Sequence, residues 1–307
     1  MTPAPGSIVF GVGFGAMASR CEIRLAAADE AEARRLAGFA IDEVKRIEAK
    51  YSRYQPDTVV SRINAAAGHD WIECDDETLS LFAYADTLFA ASGGRFDITS
   101  GVLRRAWNFS QPQVPSAERL APLLALIGWS EVQRDGRRIR LPRAGMEIDF
   151  GGFGKEYAAD RAGAILAGLG VTHAYVELGG DIRVLGPQPD GAPWAIGIQH
   201  PRASERTIAT IEVSSGALTT SGDYERYFDA GGRRYCHILD PRSGNSVDCW
   251  RSVSVLAPVA TAAGSYATIA MLLEDEALAF LDAAGLAYLA VDRHGRLHSK
   301  NVKPGSY

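Results

Sequence analysis

The order of elements in this chain predicts an α+β fold, with helices flanking a mixed or antiparallel sheet. Helical periodicity dominates residues 29–92, short strand-like runs follow residue 170, and two further helices come near the end. Strands and helices do not alternate regularly, which argues against a doubly wound parallel sheet. No repeat or low-complexity linker divides the 307 residues. Residues 1–307 therefore read as a single domain with two lobes and a cleft between them.

Residues 8–26 alternate loosely and predict a strand pair broken at Gly13–Ser19. Residues 29–50 predict an amphipathic helix with Leu36, Phe39, Ala40, Val44 and Ile47 on its buried face. Residues 51–68 hold two tyrosines, a Gln-Pro-Asp turn and a short helical piece. A second helix spans 75–92, capped by Asp75 or Asp76 and stopped at Gly93–Gly94. A polar turn then leads into a helix carrying Leu103 and Trp107. Residues 112–122, with three prolines, read as a surface connection, and 130–141 as a hairpin around Asp135–Gly136.

The central stretch is DFGGFGKEYAAD, residues 149–160. It reads as the end of a strand (Met146, Ile148, Phe150), a glycine turn and a helix running to Gly170. A glycine turn feeding a helix N-terminus presents bare N–H groups and a positive dipole end to an anion, and Lys155 adds a charge. Taken alone, it reads equally as a packed connection with a surface lysine. Strands are expected at 174–178, 181–186, 194–199, 207–213, 217–220, 225–229, 233–238 and 251–257. Helices at 260–273 and 275–284 and a hairpin at 286–298 close the chain.

The net charge of −5 argues against nucleic acid or an anionic membrane as the main partner, and leaves room for a local basic pocket. Cys21, Cys74, Cys236 and Cys249 form no C-x-x-C pair, which disfavours a zinc or dithiol redox site. Residues 1–20 lack the basic start and apolar run of a signal peptide, and no stretch approaches the roughly 18–20 apolar residues of a membrane span. A cytoplasmic protein without membrane insertion is the expectation. There is no G-x-S-x-G elbow, H-E-x-x-H or P-loop pair.

Five other segments are richer in polar, glycine or aromatic residues than a structural loop needs. FGAMAS (14–19) offers Met17 as a flat apolar contact, or as a strand-end core residue. Tyr54 in SRYQPD could stack on a planar ring or simply pack. In FDIT, Asp97 and Thr99 could cap the next helix. LGGDIRVLG (178–186) allows close backbone approach. In RRYCHILDPRSG (233–244), His237 is either a bonded structural histidine or, facing a phosphate, a general base.

Together and in this order, FGAMAS, SRYQPDTVVSRIN, GRFDITSGVL with Trp107, DFGGFGKEYAAD, ELGGDIRVLG, PWAIGIQHP, TTSGDYERYF and HILDPRSG resemble the ApbE-type FAD:protein FMN transferases, from about residue 10 to about residue 300. The resemblance implies a single ApbE-like domain that binds FAD and transfers FMN to a threonine or serine hydroxyl of an acceptor flavoprotein, releasing AMP. By position it implies flavin contacts from Met17 and Tyr54. It implies a cofactor-binding turn at Gly94, Arg95, Phe96 and Asp97, cofactor-facing Lys155 and Asp160, and His237 as the base.

The departures lie at the metal. The resemblance implies Mg²⁺ held by an aspartate and a threonine four residues apart on a late helix, and by a backbone carbonyl at Gly154. Here Thr268 is present, but the aspartate position is Gly264. Glu156 stands where relatives have glycine. A glutamate there suits the helix dipole as a surface cap; alternatively, it supplies the carboxylate missing at Gly264. Hydrolysis of FAD to FMN and AMP, or FAD binding without catalysis, are the alternative activities.

Overall fold

The computed structural model describes residues 8–302; residues 1–7, part of the segment read for a signal, lie outside them. Strands β1 (Ile8–Ala16) and β2 (Ser19–Ala27) form a hairpin. Its break is only Met17–Ala18, both at positive φ (51° and 57°), the conformation that matches a two-residue turn to strand twist. Helix α1 (Glu30–Tyr51) follows, and the Asp29 side chain accepts from Glu32 N at 2.8 Å. Leu36, Ala40, Val44 and Ile47 are buried as expected, but Phe39 is 50% exposed. Small Ala33 and Ala37 take the inner face instead, letting the helix lie close to its neighbours.

Helix α2 (Val59–Ala65) is capped by Thr58, β3 spans Ile72–Glu73, and α3 (Asp76–Ala91) is capped by Asp75. The helix expected around Leu103 is a 3₁₀ segment, Ser100–Arg105. The expected surface connection contains helix α4 (Ala117–Leu124), which tolerates Pro122 inside it and buries Leu120. Strands β4 (Gln133–Asp135) and β5 (Arg138–Arg140) form the expected hairpin, and β3 joins it. Met146–Phe150 is not a strand. Asn64 brackets Ile148, donating to its carbonyl (3.0 Å) and accepting from its N–H (2.7 Å), so a side chain replaces a ladder partner.

Helix α5 (Gly154–Gly168) leads to β6 (Ala174–Leu178), β7 (Asp181–Val184), β8 (Trp194–His200), β9 (Ala203–Val213) and β10 (Gly216–Gly222). Then come β11 (Tyr227–Ala230), β12 (Arg233–Cys236), β13 (Trp250–Ala257), α6 (Ala260–Leu273), α7 (Ala277–Ala283), β14 (Ala287–Asp292) and β15 (Leu297–Lys300). Thus β11 begins two residues later than expected, and His237 lies just beyond β12.

Eight strands form one antiparallel sheet, ordered β1-β2-β6-β7-β10-β13-β14-β15. Alternate residues face opposite sides. On β10, Ala217 enters the large core with α1, α5 and α6, whereas Leu218 enters a second core with Trp194, Ile196 and Ile211 of the β8–β9 hairpin. A third cluster joins Leu103, Trp107 and Leu120 to Phe228 of β11. The α+β expectation holds: helices and antiparallel sheets in segregated layers.

Candidate active site

The glycine turn is held from several sides. Asp149 Oδ1 accepts from Gly151 N (2.9 Å), and Oδ2 pairs with Arg53 Nη1 (2.6 Å). A Cβ on Gly152 would lie 2.6 Å from Phe96 Cζ, so the aromatic of the 94–97 turn rests directly on this glycine. Phe96 also stacks on Phe153, centroids 6.3 Å apart. No side chain caps α5, though the first helical N–H, that of Gly154, is already taken by Phe150 O at 2.6 Å.

Lys155 donates to Gly179 O (2.9 Å) and pairs with Asp181 Oδ2 (2.7 Å). Burial alone would lower its pKa, but Asp181 and Glu156 outweigh that and hold it up. The tight Gly179–Gly180 turn (φ +55° and +90°) makes the approach possible, since a Cβ on Gly179 would strike Ser19 Oγ at 2.7 Å. The β1–β2 turn with Met17 therefore meets Lys155 through Ser19 and Gly179. Met17 N donates to Glu48 Oε1 at 2.8 Å.

Glu156 is buried, and its side chain fills the space beside Gly264. A Cβ there would lie 2.6 Å from Glu156 Cγ and Oε1. Glu156 Oε2 has no hydrogen-bond partner. Burial, then the neighbouring Asp181 charge, raises the Glu156 pKa well above the ordinary carboxylate value. Thr268 lies one turn further along α6, its Oγ1 2.9 Å from Ser221 Oγ.

His237 N donates to Arg226 O (3.0 Å), and its Nδ1 is buried without a partner. Burial, then the Arg226 charge, lowers its pKa to about 4, so the ring is neutral near pH 7. Lys155 adds to that shift. Tyr54 is 72% exposed, and the Arg53 guanidinium lies 5.0 Å from its ring centroid, with Nη2 donating to its hydroxyl at 3.1 Å. An exposed, cation-backed ring suits stacking with a planar group.

Three sequence candidates make hydrogen bonds within the protein itself. Asp160 spends both oxygens on α6, accepting from Ala260 N (2.8 Å), Thr261 N (2.8 Å) and Thr261 Oγ1 (2.6 Å), with Arg183 at 3.3 Å. It is the N-cap that α6 lacks locally. Asp97 accepts from Thr99 N, Thr99 Oγ1 and Trp129 N at 2.7, 2.6 and 3.0 Å, bracing the turn, while the 3₁₀ segment it was read as capping has no side-chain cap. Arg95 donates to Leu272 O at the far end of α6 (3.1 Å). Gly94, at φ +84°, shapes the turn under Phe89.

Arg53, Asp149, Asp181 and Ser221 were not singled out from sequence. Only Asp181, after paired glycines, carried a signal: a carboxylate where backbone approach is closest. A different group, Asp248, Cys249 and Glu274, has ligand atoms within 4.8 Å of one another. Arg293 donates to Cys249 Sγ (2.6 Å), and Arg293 and Arg233 pair with Asp248, so guanidinium charge already balances this cluster.

The model of the ApbE family matches residues 17–290, which include every site residue above. The chain belongs to the ApbE family. It is 30% identical over 239 residues to the FAD:protein FMN transferase of Vibrio cholerae, covering 76% of this chain and 72% of that relative. The Haemophilus influenzae FAD:protein FMN transferase is 30% identical over 265 residues, covering 81% and 76%. Among solved structures, the ApbE protein of Thermotoga maritima superposes with a TM-score of 0.87 at 32% identity, covering 96% of this chain and 97% of that one. The apo Pseudomonas stutzeri flavinyl transferase ApbE gives 0.84 at 30% identity, covering 96% and 95%. Among the described residues, no ApbE-type helix here is long and apolar enough to cross a membrane.

Proposed function

We propose that the protein is an FAD:protein FMN transferase, moving FMN from FAD to a threonine or serine hydroxyl of an acceptor flavoprotein and releasing AMP. The observation that carries the chemistry is the neutral, half-buried His237 with an enclosed, unpartnered Nδ1, in the field of Lys155 at a helix N-terminus without a side-chain cap. The acceptor hydroxyl attacks the FMN-side phosphorus. Its proton passes to His237, a new P–O bond forms, and the bond to the bridging oxygen breaks, leaving that oxygen on AMP. In the free protein, His237 is a weak base. An anionic pyrophosphate beside Lys155 and Arg226 opposes the charges that depress it and raises its basicity.

In this reading the start of α5 and Lys155 bind the pyrophosphate. Met17 packs on the flavin, Tyr54 stacks on it, and Phe96 holds the glycine turn in shape. The site occupies a cleft between two lobes of one domain. The orphaned Glu156 Oε2 beside Gly264 fits a divalent cation. Glu156, the Thr268 hydroxyl and the Gly154 carbonyl would hold Mg²⁺, which when bound supplies charge neutralisation at the phosphates.

The test is incubation with FAD, Mg²⁺ and a candidate acceptor flavoprotein, following AMP and covalent flavin fluorescence. AMP with labelled acceptor is the expected result. AMP without label across acceptors would replace transfer by hydrolysis, and bound FAD with neither product would mark a binding protein.

A further inference from the structure

The layer between the sheet and helices α5 and α6 holds more oxygen than its packing needs. Asp181 of β7 reaches α5 through Lys155. Thr219 and Ser221 of β10 share the α6-facing side with Ala217. Thr219 stands one step beyond the pair Leu218↔Ile182, in register with Asp181. The helices contribute Glu156 and Thr268. Every donor in this set is an oxygen. Glu156 Oε2 and Thr219 Oγ1 are buried with no partner, and Thr219 is fully enclosed. Buried polar atoms are ordinarily satisfied, so two in one layer call for a missing occupant.

We infer that Asp181 and Glu156 together form a two-carboxylate centre for a hard divalent cation, with threonine hydroxyls from Thr219 and Thr268 completing the oxygen set. The inference deepens the transferase reading, on which it rests for the cation's use, and adds Asp181 and Thr219 to the metal ligands. Two carboxyl groups beside one ammonium can supply the charge that a divalent cation needs. All-oxygen donors favour Mg²⁺ or Mn²⁺ over zinc or copper. If Asp181 were only the counter-ion of Lys155, neither orphaned oxygen would be explained.

The test is titration of the full chain with Mn²⁺, read by electron paramagnetic resonance, with and without FAD, for wild type and the near-isosteric Asp181→Asn, Glu156→Gln and Thr219→Val. Circular dichroism checks folding, and Asp181→Ser replaces any Asp181→Asn that fails to fold. The expected result is one Mn²⁺ site in the wild type. Both carboxylate variants should lose more than the roughly tenfold that an outer-shell partner costs, and Thr219→Val a smaller amount. Wild-type affinity in Asp181→Asn, with loss in Glu156→Gln, would overturn the role of Asp181 and leave the transferase reading standing. AMP formation by a wild type that binds no Mn²⁺ would overturn the centre alone. Mn²⁺ binding lost in both variants, with no AMP from any acceptor, would support the centre while the transferase reading falls.

Discussion

Glu156 and Asp160 lie one turn apart on the same face of α5, and both meet α6, yet they are opposite cases. Asp160 accepts three hydrogen bonds from the first turn of α6 and pairs with Arg183. Glu156 meets the same helix one turn later, at Gly264, and keeps a buried oxygen with no partner. The two helices run antiparallel, so the α5 step from 156 to 160 matches the α6 step from 264 to 260. A satisfied buried carboxylate fixes architecture. An unsatisfied one costs stability and points to chemistry. Asp160 sets where α6 starts, and so places Gly264 and Thr268 for Glu156.

The contrast breaks most directly at Gly264. Gly264→Asp drives a second carboxylate into space that Glu156 fills, combining overpacking with like-charge repulsion. We expect a loss of about 3 kcal/mol or more, seen as a large drop in Tm, with most of it recovered in Glu156→Gly/Gly264→Asp. A single variant as stable as wild type would show that Glu156 does not occupy that space.

His237, half-buried, belongs with Glu156 in keeping an enclosed polar atom, Nδ1, unsatisfied. Its folded pKa, about 4, lies below the 6.5 of the unfolded chain, so the unfolded state binds the extra proton first. Stability should be full above pH 6.5 and fall as pH drops toward 4, by on the order of 3 kcal/mol. Urea midpoints between pH 4 and 7.5 should show this slope in wild type and a shallower one in His237→Asn, which should also lose transfer.

Asp160→Ala tests the satisfied side. It removes the cap of α6 and the Arg183 ion pair, for an expected cost of about 2 kcal/mol. Hydrogen exchange should rise first at residues 260–264. Unchanged exchange there would remove Asp160 from its architectural role. Tyr54→Ala sets the lower limit. The ring is exposed, so stability should move by less than about 0.5 kcal/mol, and the effect should appear as a raised KM for FAD. A large loss of Tm would make Tyr54 a packing residue.

Much of this was legible along the chain. The α+β class followed from element order. The cap Asp75 announced α3, because a capping carboxylate and the N–H that donates to it lie three residues apart. The glycines at 179 and 180 announced a close approach. Helix α4 was hidden by its prolines, and the irregular run at 146–150 read as a strand because Asn64, which replaces its ladder, is 84 residues away. Phe39 sits at the edge of its helical stripe, where periodicity cannot decide between core and solvent.

The sequence by itself determined the family, the order of motifs and the exchange of residue types at 156 and 264. It could not decide which of Glu156 and Asp160 is satisfied: both are carboxylates on one helix. Their difference comes from groups about 100 residues away on α6, which reach Asp160 with three donors and offer Glu156 only the bare Cα of a glycine. Local propensity placed both side chains on one face of α5. Only tertiary packing decided which was satisfied, because hydrogen bonds depend on distances in space that sequence spacing does not encode.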